Sequence, residues 1–141
     1  MNETEIKDIL KIIIKRVENN SLTWRIEGSS NLKIQDVDVS VQDFDITTND
    51  EGIKIFRNIL KDFLVKDSYS EKIKGRSLIC KINGFDVEIN SYGDRKKDMF
   101  DKTQVVVWKN LEVPILPLRN ALEFYELIGY KDKVDLISKY L

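Results

Sequence analysis

The sequence predicts an α+β fold, a mixed twisted sheet with helices packed on it. Three observations lead there. SLICKI (77–82), Asn83-Gly84 and FDVEINSY (85–92) read as a β-hairpin, because Asn-Gly is the preferred pair for a type I′ turn and both arms are strand-like. Two other strand-like stretches, LTWRIE (22–27) and residues 37–47, lie among segments of helical periodicity. Two helical segments close the chain after Pro117. The 141 residues read as a single domain, 1–141, large enough to bury a core without staples.

Taken in order, residues 2–19 carry Ile6, Ile9, Leu10, Ile13 and Val17 at helical spacing, and Asn2 with Glu5 resembles a capping box. LTWRIE alternates as a strand and runs into Gly28-Ser29-Ser30, with one or two helical turns expected over 30–35. Val37, Val39, Val41, Phe44 and Ile46 give 37–47 the pattern of a second strand. Thr48-Asn49-Asp50-Glu51 reads as a capping box opening a helix over 50–65, with Ile53, Phe56, Leu60 and Phe63 on one face. A polar loop is expected at 66–74, before the hairpin, and a charged loop at 93–103. VVVW (105–108) and VPIL (113–116) suggest a second hairpin around Asn110. Pro117 starts a helix over 118–128 that Gly129 stops, and a last helix covers about 131–141.

Composition removes whole classes of chemistry. With no histidine, a Ser–His–Asp triad, a Cys–His pair and a His-ligated zinc site are all excluded. The single cysteine, Cys80, forbids an internal disulfide and fits a reducing compartment. Any metal must therefore sit on oxygen ligands, which suits Mg²⁺ or Mn²⁺. The net charge of −1 supplies no global field for nucleic acid, so that partner would need a local basic patch. The charged start MNETEIKDIL has no leader-like apolar core, and no apolar run approaches a membrane span, so a cytoplasmic protein without a membrane partner is expected.

VQDFDITT (41–48) concentrates the remaining chemistry. Residues two apart on a strand share a face, so Phe44 and Ile46 would enter the core while Asp43 and Asp45 project together from the other side. Two carboxylates held that close repel, and a divalent cation removes the repulsion. The bland alternative is a solvated strand face. In FDVEINSY, Asp86, Glu88 and Asn90 alternate with the apolar Phe85, Val87 and Ile89, so a second acidic strand could complete a three-carboxylate cluster able to hold one or two Mg²⁺ ions. Gly28-Ser29 after a strand could present backbone N–H groups and a hydroxyl to an anion.

Together these residues resemble the nucleotidyltransferase superfamily of the polymerase-beta type. Its pattern is a strand ending in Gly-Ser or Gly-Gly, a gap, Asp–hydrophobic–Asp–hydrophobic, then a strand with hydrophobic–acidic–hydrophobic. Here Gly28-Ser29 is followed by 13 residues and then Asp43-Phe44-Asp45-Ile46, and Val87-Glu88-Ile89 supplies the later acid. WRIEGSSNLKIQDVDVSVQDFDITTNDEGIKIFRNIL and VPILPLRNALEFYELIGYKDKVDLI look like the small stand-alone bacterial and archaeal members, so the likeness spans most of residues 22–138. The resemblance implies that Asp43, Asp45 and Glu88 are the catalytic, Mg²⁺-binding carboxylates and that Gly28 and Ser29 cradle the triphosphate. It implies an NTP substrate, with ATP the expected one, and attack of an acceptor hydroxyl on the α-phosphate with release of pyrophosphate. The other reading is a catalytically inactive binding module on the same scaffold, such as one component of a toxin–antitoxin pair. The acceptor has no signature, and a short chain leaves room for a homodimer or a protein partner to form the other wall of the cleft.

Two alternatives stay open within the motif. Asp36-Val37-Asp38-Val39 repeats the aspartate pattern too soon after Ser29 and reads as a decoy. Asp86, between Phe85 and Val87, competes with Glu88 as third carboxylate. Two departures are plain: Glu27 stands where the family usually has a hydrophobic residue, and SSNLKIQ offers only Lys33 where many relatives place a phosphate-binding arginine. Trp24, Trp108 and Cys80 read as core residues. Arg95, Lys96 and Lys97 read as a solvated loop that could meet a phosphate or RNA backbone. Lys131, Asp132, Lys133 and Asp135 read as helix-surface charges, with a small share given to Lys131 as a nucleotide contact.

Overall fold

In the computed structural model, which describes residues 1–93 and 97–141, the sheet is built outward from a short central strand. That strand, β2 (Phe44–Thr48), pairs antiparallel with β1 (Trp24–Glu27) on one side and parallel with β5 (Phe85–Ser91) on the other. β4 (Gly75–Ile82) and β3 (Leu64–Ser70) extend it antiparallel, giving the order β1-β2-β5-β4-β3. β6 (Gln104–Trp108) and β7 (Leu111–Ile115) form a separate two-stranded ribbon. The mixed α+β class expected from the sequence is the one observed.

Alternation decides what each face of the sheet does. Phe44, Ile46, Val87 and Ile89 are fully buried in the main core, with Leu78, Cys80 and Ile82 of β4. The apolar sides of α1 (Glu3–Val17) and α3 (Asp50–Ile59) pack onto them, through Ile6, Ile9, Leu10 and Ile13, and through Ile53 and Phe56. Each such side chain contributes about 1.5–3 kcal/mol by leaving water. A second cluster joins α2 (Gly28–Ile34), α4 (Leu118–Leu127) and α5 (Lys131–Ser138) through Leu32, Leu116, Ala121, Phe124, Tyr125 and Ile137. Asn31 locks that cluster to the chain after β7: its Nδ2 donates to the Leu116 carbonyl at 2.9 Å and its Oδ1 accepts from the Leu116 N–H at 2.9 Å.

Local chemistry sets the element ends. Asn2 and Glu5 form the expected capping box, each side chain accepting from the other's backbone N–H at 2.9 Å. The cap of α3 is Asn49, whose Oδ1 accepts from the Gly52 N–H at 2.8 Å; Thr48 stays in the strand, its hydroxyl donating to the Thr23 carbonyl at 2.6 Å. Asn83 and Gly84 both have positive φ, as a type I′ turn requires, and so do Lys109 and Asn110 in the second hairpin. After α4, Gly129 adopts φ +72°, and the Tyr130 N–H closes on the Tyr125 carbonyl at 2.9 Å in a Schellman-type stop that aims α5 back toward the sheet.

Three expectations are corrected. Residues 37–43 are not strand, although Val37 and Val41 are buried. The ladder with β1 ends where Glu27 faces Asp45, because Gly28 turns β1 into α2 and leaves 37–43 without a partner on that side. Conversely, much of the loop expected at 66–74 belongs to edge strand β3, and α3 stops at Ile59 rather than 65. β3 is polar because it is an edge, and its Asp67 is gripped by Arg57 at 2.5 Å and Arg76 at 2.7 Å. No helix among the described residues is long and apolar enough to cross a membrane.

Candidate active site

The polar face of the central strands carries two rows. Glu27, Asp45 and Glu88 are register partners across β1, β2 and β5, and Arg25, Thr47 and Asn90 form the adjoining row. In-register partners project to the same side of a sheet, so three carboxylates lie abreast. This face forms the floor of a cavity of about 920 Å³, whose walls come from Gly28 and Ser29, from Lys72 and Ile73 before β4, and from the α4–α5 turn.

Asp45 is the centre of this floor. Burial pushes its carboxyl up to about 7, and the negative charges of Glu88, Asp43 and Glu27 push the same way, against Lys133. Asp43 sits in a bend one residue before β2, exposed, so it bears on Asp45 by its charge and not as a strand neighbour. Gly28 is fitted against Asp45, with φ +66° and space for no Cβ. Asp86 pairs across the hairpin with Lys81 at 3.0 Å, while Glu88 is the register partner of Asp45. Asp36 and Asp38 lie in the irregular connection after α2, with the Asp38 N–H donating to the Tyr140 hydroxyl at 2.9 Å.

Glu27 is neither solvated nor replaced by the apolar residue that the resemblance leads one to expect. It is 5% exposed beside the fully buried Arg25. Its Oε2 accepts from Arg25 Nε at 3.1 Å, from Arg25 Nη2 at 2.9 Å and from the Thr47 hydroxyl at 3.2 Å, while its Oε1 is buried without a partner. The remaining arm of Arg25 donates to the Asp98 carbonyl, and its guanidinium lies 5.2 Å from the centre of the Phe100 ring.

Of the cavity's cations, the sequence marks Lys97 and Lys131 for a phosphate or nucleotide contact, but not Lys72 or Lys133. Lys33, on α2, does not line the cavity; Lys72, Lys97, Lys131 and Lys133 do. Lys133, read from sequence as a surface charge, is half-buried and donates from Nζ to Ser29 Oγ at 3.1 Å. Burial lowers its pKa, and the Asp45 charge opposes that shift. Arg95 and Lys96 lie outside the described residues. Tyr92, Phe124, Tyr125 and Tyr130 form a chain of edge-to-face rings along one wall, with successive centroids 5.8, 5.5 and 5.8 Å apart. Burial, with the charges of Glu27 and Asp45, holds the phenols of Tyr92 and Tyr125 far above their ordinary range. Trp24 packs edge-on against Phe56 at 6.2 Å, and Cys80 is fully buried with its thiol pushed up to about 11, both as core residues.

Among the described residues, no three His, Cys, Asp or Glu side chains already close into a metal-sized group. The floor nevertheless fits a hard divalent cation in charge and donor type: an all-oxygen set, a central carboxylate crowded by three others, and a buried carboxylate oxygen with no donor.

The chain has the nucleotidyltransferase fold. It is similar over nearly its whole length to a candidate nucleotidyltransferase from Thermotoga maritima, at 26% identity and a TM-score of 0.78, covering 99% of this chain and 94% of that one. The fold is shared with ANT(2″)-Ia in complex with adenylyl-2″-tobramycin (10% identity, TM-score 0.64, 97% and 89% covered). It is shared too with the lincomycin-bound lincosamide antibiotic adenylyltransferase LnuA (12% identity, TM-score 0.62, 98% and 97% covered). No family model and no curated protein matches the chain.

Proposed function

We propose that the protein is a Mg²⁺-dependent nucleotidyltransferase that moves a nucleoside monophosphate from an NTP, ATP first among them, to an acceptor hydroxyl and releases pyrophosphate. The observation that carries this reading is the register pairing of Asp45 with Glu88 at the floor of a lysine-lined cavity. The two adenylyltransferases that share the fold support the nucleotide class, and the T. maritima likeness supports its extension to a chain of this size.

Asp43, Asp45 and Glu88 would hold Mg²⁺, which when bound stabilises charge on the attacking and leaving oxygens. Gly28, without a Cβ, lets the phosphate chain lie close to the strand end. Ser29 Oγ and Lys133 Nζ, already in contact, would turn to phosphate oxygens, and Lys72, Lys97 and Lys131 would balance the remaining charge at the rim. Glu88, half-buried on β5, is placed to take the acceptor's proton. The ring wall of Tyr92, Phe124, Tyr125 and Tyr130 gives the cavity its apolar side, for the base or the acceptor.

The test is pyrophosphate release from each NTP with Mg²⁺ across a panel of hydroxyl acceptors. Activity should disappear in Asp43→Asn and Asp45→Asn. Activity that survives both changes overturns the carboxylate assignment. Calorimetry showing no heat with any Mg-NTP, alongside a stable protein partner on pull-down, would favour the binding-module reading instead.

A further inference from the structure

We propose that Glu27 is a fourth carboxylate of the cation site, its Oε1 kept free for a divalent cation or that cation's hydration shell. The proposal rests on the reading of Asp45 and Glu88 as metal carboxylates and adds a residue that this reading does not use.

Glu27 is held asymmetrically. Arg25 and Glu27 form a buried pair, and a guanidinium usually satisfies a carboxylate as a fork, one N–H to each oxygen. Here both Nε and Nη2 of Arg25 converge on Oε2, the Thr47 hydroxyl adds a third donor to the same atom, and Nη1 is spent on the Asp98 carbonyl. Oε1 receives nothing, though it is buried and its residue is only 5% exposed. A structural ion pair gains nothing from that arrangement, because a buried acceptor left without a donor is a net cost. Such a cost persists where the orphaned atom has a ligand to meet.

Its surroundings say which ligand. Glu27 is the register partner of Asp45, lines the same cavity and adds to the negative field on it. An anion or a neutral acceptor atom would be repelled by that row. A hard cation, or water oriented by one, is the species whose charge or protons point toward carboxylate oxygens. Arg25 and Thr47 then act as positioning residues that fix Glu27 through Oε2 and leave Oε1 without a donor.

Mn²⁺ serves as the probe, titrated without nucleotide and followed by the electron paramagnetic resonance signal of the free ion. The full-length wild type is compared with Glu27→Gln, Asp45→Asn and Asp86→Asn. Glu27→Gln retains an acceptor for Arg25 but puts an amide in place of a carboxylate oxygen, and should weaken Mn²⁺ about tenfold. Asp45→Asn should abolish binding, and Asp86→Asn should leave it unchanged. Wild-type affinity in Glu27→Gln with loss in Asp45→Asn overturns the role of Glu27 and leaves the proposed function intact. No Mn²⁺ binding by the wild type overturns both. Should Glu27→Gln fail to fold, the double variant Arg25→Met/Glu27→Leu removes the buried pair as a unit; weakened Mn²⁺ binding there supports the proposal, and undiminished binding overturns it.

Discussion

A Cβ on Gly28 would stand 2.4 Å from Asp45 Oδ2, so the turn out of β1 and the central carboxylate of the cavity are shaped against each other. Gly28 also has φ +66°, a conformation costing an alanine about 1 kcal/mol. Gly28→Ala should therefore displace Asp45 as well as strain the turn. The expected result is a fold that survives with a melting temperature a few degrees lower and a pyrophosphate-release rate lower by about a hundredfold. Circular dichroism melting and the release assay together check it; an active Gly28→Ala would mean that Asp45 need not hold its position.

Asp45 links stability to pH. Its carboxyl sits at about 7 in the folded chain, against an ordinary value of 3.8. Between those values the native state holds a proton that the unfolded chain has lost, so stability falls as pH rises through this window, by up to about 4 kcal/mol. Thermal unfolding of metal-free protein from pH 5 to pH 8 should show the decline. Asp45→Asn should flatten it and be the more stable protein at pH 8, and equal slopes for the two would contradict the buried, crowded placement of this carboxylate.

The hairpin offers a paired control. Asp86 is engaged with Lys81 on an exposed part of the strand, while Glu88 faces Asp45. Glu88→Gln should lower turnover by roughly 10²–10³-fold, the range for removing a general base or a metal carboxylate. Asp86→Asn should stay within about twofold, since exposed ion pairs contribute little. Steady-state kinetics on the two variants separates them.

Lys133 should act on substrate affinity. It touches Ser29 Oγ from α5 and faces the cavity, so Lys133→Met removes a charged donor from the side proposed to hold the phosphates. A charge-assisted hydrogen bond contributes about 1.5–3 kcal/mol, so KM for the nucleotide should rise about tenfold or more with kcat less affected. Nucleotide titrations of the variant give the split directly.

Asn31 is the stability counterpart. Replacing it with alanine removes both hydrogen bonds to Leu116 and leaves a buried backbone N–H without its partner, while Gln35 Nε2 still reaches the Leu116 carbonyl at 2.8 Å. The expected loss is about 2–3 kcal/mol in urea unfolding.

Where local chemistry decides, the sequence was readable. The Asn2–Glu5 box, the Asn83-Gly84 turn and the alternation that buries Phe44, Ile46, Val87 and Ile89 are properties of neighbouring residues. β3 was not legible, because an edge strand held by Arg57 and Arg76 on Asp67 has no apolar period to show. Residues 37–43 misled in the opposite way, since burial of Val37 and Val41 mimics strand alternation where β1 has already turned away.

The candidate site divides along the same line. Strand alternation and the family resemblance mark Asp43, Asp45 and Glu88 as candidates, whereas the fact that Glu88 and not Asp86 is the register partner of Asp45 emerges only from the pairing of β2 with β5. Lys133 meets Ser29 across 104 residues of chain, a contact that no local pattern announces. Glu27 was visible as an oddity, but its meaning depends on Arg25, Thr47 and Asp45 around it.

On the proposed function, Asp43, Asp45 and Glu88 gather a divalent cation under a nucleotide. A crystal soaked with Mn²⁺ and a non-hydrolysable ATP analogue tests it most directly. The expected result is an anomalous Mn²⁺ peak bounded by carboxylate oxygens of Asp45 and Glu88, with the triphosphate running past Gly28 and Ser29 toward Lys133. A nucleotide bound in the cavity with no Mn²⁺ peak at those carboxylates would contradict it.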